Sequence, residues 1–195
     1  MLEVQRTKIQ RPLLLPQKPA FKKAEAEVII LREVNENLIR QILIMEERLS
    51  EKMRYNRQDL LDSIRSQQEF LFCCIKGTKI LGYAVAIPHN NAVAEIGEQD
   101  PLMKNDLSNL KYYVDRINLK HSGMFDKLVK GFFKKLIERG YTKLSSHVAT
   151  SNSLNKFVLI KLRRIITEDR KDVYLSKFSS EPFEYMEFDL SKFVY

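Results

Sequence analysis

The sequence predicts an α/β chain of the α+β kind: a mixed sheet flanked by helices, folded as one domain. Three observations carry this. Apolar runs of strand character alternate with runs of helical period in the order β, α, α, β, β, long loop, β, α, β, α, then two or three further strands. The 195 residues, 44% apolar and 30% charged, suffice for one packed core but not for two large domains. Six Gly and six Pro are too few for a low-complexity chain, and 10% aromatic residues argue against general disorder.

Residues 1–27 stand apart from the domain expected over 28–195. Pro12, Pro16 and Pro19 surround Leu13-Leu14-Leu15, and neither helical nor alternating period appears, so this stretch reads as an extended arm. Such an arm lies on its own domain or on a neighbouring subunit, which is a route to an oligomer. Val28 through Val34 is β-branched and reads as the first strand, leading to Asn35 as a helix cap. Leu38, Ile39, Ile42, Met45 and Leu49 then recur at three- and four-residue steps. Leu60, Leu61 and Ile64 repeat the pattern after the cap Asn56.

Phe70 to Lys76 and Lys79 to Ile87 form a hairpin around Gly77-Thr78. Gly82, inside the second strand, marks a bulge or a close approach of other backbone. Asn90 to Leu110 is a long polar connection, expected as a lid or substrate loop. Lys111 to Leu119 is a strand that runs through Lys120-His121-Ser122-Gly123 into the clearest helix, apolar at Leu128, Val129, Phe132, Phe133 and Leu136 and closed by Gly140. Leu144 to Ala149 is a strand, a helix with Val158 and Leu162 inward starts at Ser151 or Asn152, and Ile165–Thr167, Val173–Phe178 and Phe183–Leu190 finish as strands.

Lys and Arg number 33 against 25 Asp and Glu, a net charge of +8, which favours phosphate-bearing ligands or nucleic acid as partners. Lys127, Lys130, Lys134 and Lys135 on one helix face are open to a nucleic-acid contact or, as is usual there, to solvation. No apolar run approaches the ~20 residues that span a bilayer, and the start lacks a secretory core, so the expected location is cytoplasmic, away from membranes. The two cysteines, Cys73 and Cys74, are adjacent in a strand, point to opposite faces and are expected to be reduced. His89, His121 and His147 lack metal-ligand spacing, and no metal is expected.

The junction Lys120-His121-Ser122-Gly123-Met124-Phe125 is the most informative stretch. The first turn of a helix leaves backbone N–H groups unpaired and directs its positive end outward, a geometry that binds anions. Gly123 lets backbone come close to a phosphate, Lys120 and His121 add charge, and Ser122 caps or donates.

Element order and residues together resemble the GNAT superfamily of N-acetyltransferases over Val28 to Leu190. That family's loop, Arg/Gln-x-x-Gly-x-Gly/Ala, aligns with Lys120, Gly123 and Phe125, and its later Val-x-x-x-Asn with Val148 to Asn152. Gly82-Tyr83 and Arg139-Gly140-Tyr141 are similar too. The resemblance implies a mixed, mostly antiparallel sheet flanked by helices on both faces. It also implies acetyl-CoA or another acyl-coenzyme A as donor, an amine-bearing acceptor, and a backbone donor to the thioester from Ile117, Asn118 and Leu119. Asn152 and Asn155 then meet the pantetheine arm, although Asn152 is equally a helix cap. Asp115 is the expected general base, with Glu95 and Glu98 as alternatives and an ion pair to Arg116 as its plain structural role.

Several positions depart from the family pattern. Lys120 stands for Arg, Arg163-Arg164 replaces the Gly-Phe that closes the later helix, Asp126 in the first helical turn would repel a pyrophosphate it faced, and two more bear directly on the chemistry. Phe125 replaces a small residue and must turn into the core or crowd the loop. Leu159 stands where many members have a Tyr that protonates the leaving thiolate, so protonation must come through another hydroxyl, through water or not by a side chain at all. Ser145, Ser146 and His147 on the preceding strand are the substitutes, with Ser146 taken as the candidate. These departures keep a second reading open: a catalytically silent protein of this fold that binds acyl-CoA or another protein.

Overall fold

The computed structural model describes residues 25–151 and 153–194. Strands β1 (Glu27–Ile30), β2 (Phe70–Lys76), β3 (Lys79–Pro88), β4 (Lys111–Leu119), β5 (Lys143–Ala149), β6 (Ile166–Tyr174) and β7 (Pro182–Asp189) form one sheet in the order β1-β2-β3-β4-β5-β7-β6. Every neighbouring pair is antiparallel except β4 and β5. Helices α1 (Glu36–Glu46), α2 (Arg57–Arg65) and α3 (His89–Ile96) cover one face, and α4 (Phe125–Ile137) and α5 (Ser153–Leu162) cover the other. The expected mixed, mostly antiparallel sheet with helices on both faces is what the chain forms. The expected arm lies, except for residues 25–27, outside the described residues.

Local chemistry explains the element ends. Asn35 accepts from the Leu38 amide at 3.1 Å to cap α1, and Asn56 forms a reciprocal capping box with Asp59 at α2. Gly77 turns the β2–β3 hairpin at φ +60°. Opposite the irregular register at Cys74/Ile75, a Cβ on Gly82 would lie 2.6 Å from Leu119 Cδ2, so glycine permits the close β3–β4 approach. Cys73 joins the core under α1 and α2 while Cys74 joins the core under α4, both as free thiols. Phe72 and Phe132 meet edge to face at 4.7 Å and fix α4 on the sheet; each is fully buried, a contribution of about 2–3 kcal/mol.

Three expectations are corrected. β1 ends at Ile30 rather than Val34, because the Arg32 guanidinium turns to the Ser66 and Glu69 carbonyls at 2.6 and 2.9 Å. The connection from Asn90 is no loose lid: α3 opens it, and His89 holds the Lys104 carbonyl while Asn90 holds Asp106. Asp106 in turn accepts from the Leu110 and Lys111 amides. Ile165–Thr167 and Val173–Phe178 are not two strands; one strand, β6, runs between them with irregular register at Ile166/Glu168 and Arg170/Val173. Its central charged residues hid the alternation at this sheet edge.

Candidate active site

β4 and β5 run side by side only over Lys111–Tyr113 and Lys143–Ser145. Past that point the Ser146 hydroxyl donates to the Val114 carbonyl at 3.0 Å, and the β4 edge from Val114 to Leu119 has no neighbouring strand on this side among the described residues. On its other edge β4 pairs with β3, where Val85 faces Arg116 and Ala86 faces Val114, so Asp115 is an extra, bulged residue. The bulge interrupts the alternation of faces. Asp115 accepts a hydrogen bond from the Tyr55 hydroxyl, and Arg116 donates to the Met53 carbonyl. Both therefore point toward the α1–α2 connection.

Water reaches Asp115 from the cleft, yet protein surrounds it densely. That enclosure pushes its carboxyl above the usual range; Arg116 pulls against the shift and Glu46 adds to it. The Arg116 guanidinium lies 5.0 Å from the Tyr55 ring centre, and its buried Nε has no hydrogen-bond partner among the described residues.

At the far end of β4 the Lys120 amide donates to Leu81 O at 3.0 Å. A single 3-10 turn, Ser122–Met124, precedes α4, with the Met124 and Phe125 amides donating back to His121 and Ser122. The Ser122 and Gly123 amides have no acceptor among the described residues, and a Cβ on Gly123 would meet nothing within 4 Å. Free amides, the ammonium of Lys120 and open space left by a glycine fit a group with linked phosphates, such as coenzyme A. Phe125 does not crowd this opening. It is 2% exposed and belongs to the core beneath α4. Asp126, the acidic residue in the first turn of α4, is met by Lys161 of α5 at 3.5 Å.

Two cavities meet where β4 and β5 part. One of about 140 Å³ lies between the sheet and α4 and α5; the other, of about 440 Å³, lies against the α1–α2 connection, α2 and α3. Asp115, Arg116 and His147 line both. His147 Nε2 lies 3.1 Å from Asp100 Oδ2, and its Nδ1 lies 3.1 Å from the Tyr113 hydroxyl. Arg170 clamps both Asp100 oxygens at 2.7 Å.

Burial holds the His147 pKa down at about 4, outweighing the pull of Asp100. Burial also disfavours the Asp100 carboxylate, but the Arg170 and His147 donors outweigh it and hold its pKa below the usual range. The His147–Asp100 contact is thus a hydrogen bond from a neutral imidazole, not an ion pair. Its proton sits on Nε2, so Nδ1 accepts from Tyr113.

The structure brings Asp115, Ser146, Ile117 and His147 together around the smaller cavity. The Asn118 amide is spent on the Met45 carbonyl at 3.2 Å, which leaves only its backbone for the open edge. Leu119 packs on the core. Glu95 lines the larger cavity and Glu98 does not. Ser145 is fully buried against His89 at 2.7 Å, away from both cavities. Asn152 lies outside the described residues, as does the side chain of Asn155. Tyr55, Met53, Tyr113, Asp100 and Arg170 complete the site and carry no local sequence signal; Tyr55 and Asp115 are sixty positions apart.

No protein-family model and no curated protein sequence matches the chain. Solved structures do. An Escherichia coli ribosomal-protein-S18-alanine N-acetyltransferase is similar over 88% of this chain and 99% of its own, at TM-score 0.58 and 13% identity. The chain has the GNAT fold. An N-acetyltransferase from Staphylococcus aureus Mu50 is similar over 86% and 99% (TM-score 0.60, 13% identity). A coenzyme A-dependent acyl-homoserine lactone synthase is similar over 87% and 84% (TM-score 0.60, 11% identity). In this GNAT-fold chain no described helix is long and apolar enough to cross a membrane.

Proposed function

We propose that this protein is an N-acyltransferase that takes an acyl group from a coenzyme A thioester and passes it to an amine. The observation that carries the reading is the bulge at Asp115. It sits where an unpaired strand edge, a helix head with free amides and two cavities converge. The names of the GNAT-fold neighbours, which include acetyltransferases and a coenzyme A-dependent synthase, agree with it.

Lys120 and the Ser122 and Gly123 amides hold the diphosphate, and the open edge from Ile117 to Leu119 aligns the pantetheine. The thioester supplies an activated carbonyl at the divergence of β4 and β5. The backbone of the open β4 edge there is the available donor to its oxygen. The acceptor amine enters from the larger cavity, and Asp115 takes its proton. A carboxyl raised by enclosure is a better base for this step than an ordinary one. Leu159 packs against the core without a hydroxyl, so the leaving thiolate takes its proton from water or from Ser146, and the proton that Asp115 took from the amine restores that donor. The absence of that Tyr is also the observation favouring the second reading, a protein that binds acyl-CoA without turnover.

Calorimetric titration with acetyl-CoA tests the reading. Micromolar binding is expected, weakened about tenfold by Lys120→Ala, the ~1.4 kcal/mol of one charge-assisted phosphate contact, and abolished by Gly123→Trp. No detectable binding of the wild type would end both readings. Tight binding without acyl transfer across a panel of amines would leave the second.

A further inference from the structure

The smaller cavity reaches past the divergence. Its polar lining, Asp115, Arg116, Ser146 and His147, belongs to the mouth where β4 and β5 part. The rest is apolar. Leu144 lies deeper than the mouth, opposite Tyr112 in the stretch where the two strands are still paired, and Phe188 lies opposite Leu144 on β7. Val129 and Phe133 of α4 and Val158 and Leu162 of α5 close the cavity from the other side. Each of these six side chains is at least 92% buried, so this end of the cavity is set into the core.

An acetyl group ends at the mouth and needs none of this depth. The cavity, its mouth included, holds about 140 Å³, close to the ~150 Å³ engineered apolar cavity that takes up benzene, a six-carbon guest. The mouth holds the groups that face a thioester carbonyl; the depth behind it holds only hydrocarbon. This argument rests on the acyltransferase reading and adds the chain length to it. We propose that the transferred group is a short acyl chain of about four to six carbons, its tail lodged under α4 and α5. The thioester carbonyl stays at the mouth, so the bond broken and the bond formed are those of any acyl transfer to an amine.

The test is a calorimetric series on the full chain with free coenzyme A and its acetyl, butyryl, hexanoyl and dodecanoyl thioesters. A buried methylene is worth ~4-fold in affinity, so hexanoyl-CoA is expected to bind at least about 10-fold more tightly than acetyl-CoA. Dodecanoyl-CoA, whose tail exceeds the cavity, is expected to bind no more tightly than hexanoyl-CoA. Val129→Phe fills the space and is expected to reduce the hexanoyl-to-acetyl ratio to under about threefold, and the smaller change Val158→Leu to reduce it in part.

An equal or falling series from acetyl to hexanoyl, with coenzyme A itself bound, would overturn the chain length alone. Continued tightening to dodecanoyl, or a ratio untouched by either variant, would overturn it as well. Loss of binding across the whole series, free coenzyme A included, would remove the acyltransferase reading and this inference with it.

Discussion

The two cavities flanking the divergence of β4 and β5 share Met53, Asp115, Arg116, His147 and Phe183 but differ in the rest of their lining. The smaller one is hydrocarbon behind a polar mouth. The larger one adds ionisable and hydroxyl groups, among them Asp59, Asp62, Glu69, Glu95, Tyr55 and Tyr113, to apolar ones such as Val85, Ile96 and Phe178. The difference comes from one strand. Regular alternation on β4 would send Asp115 and Arg116 to opposite faces, whereas the bulge turns both toward the α1–α2 connection and leaves Val114 and Ile117 to the apolar side. A single inserted residue thus separates a polar chamber suited to proton transfer from an apolar one.

The sharpest way to break this comparison is at the shared carboxylate. Asp115→Asn is expected to lower kcat by about 10²- to 10⁴-fold in a steady-state acyl-transfer assay while the protein stays folded. An unchanged kcat would move the base to Glu95 or to water. The same substitution removes a carboxyl that the fold prefers protonated. Because its folded pKa is raised, the charged form costs stability as pH rises through that pKa, and the variant is expected to melt at an equal or higher temperature at pH 8.

His147 tests the buried side of the shared wall. Its folded pKa of about 4 lies below the ordinary 6.5, so the unfolded chain binds the proton first as the solution is acidified. Stability is therefore expected to fall between pH 6.5 and 4, by up to about 3 kcal/mol, and His147→Gln to flatten that slope. Urea midpoints across this range measure it; a wild-type profile as flat as the variant's would contradict the neutral imidazole.

A smaller effect is expected at Tyr55. Tyr55→Phe removes the donor to Asp115 and should shift the acid limb of the kcat/KM profile to higher pH. The smallest lies in the apolar cavity, where Val158→Leu adds one methylene to existing space. It is expected to raise unfolding stability by about 0.8 kcal/mol in the absence of ligand.

The parts of the fold legible in the sequence were those with a local cause. The apolar stripe of α4, the caps Asn35 and Asn56 and the turn at Gly77 announce themselves within a few residues, because period and capping are short-range. α3 carries no such signal, for the same reason. Only His89, Ala92 and Ile96 are buried in it, too few for a visible period, and it is held by packing and by the Lys104 and Asp106 contacts. β6 reads as two strands because its exposed middle has no apolar alternation.

The candidate site divides along the same line. Lys120, Ser122 and Gly123 belong to one strand-to-helix junction, and an anion-binding helix head is a property of consecutive residues, so that half could be read from the chain alone. The other half depends on groups remote in sequence. Tyr55 reaches Asp115, Arg170 and His147 reach Asp100, and the interior of Phe125 became known only once α4 was packed on the sheet. By itself the amino-acid order determined most of the strands, the helices with an apolar stripe or a cap, and the strand-to-helix junction at Lys120–Gly123, since backbone dihedrals and helix termini respond to near neighbours. The register slip at Asp115, the depth of the apolar cavity and the protonation of His147 were decided only by tertiary structure, because burial and cross-strand pairing exist only once distant parts of the chain meet.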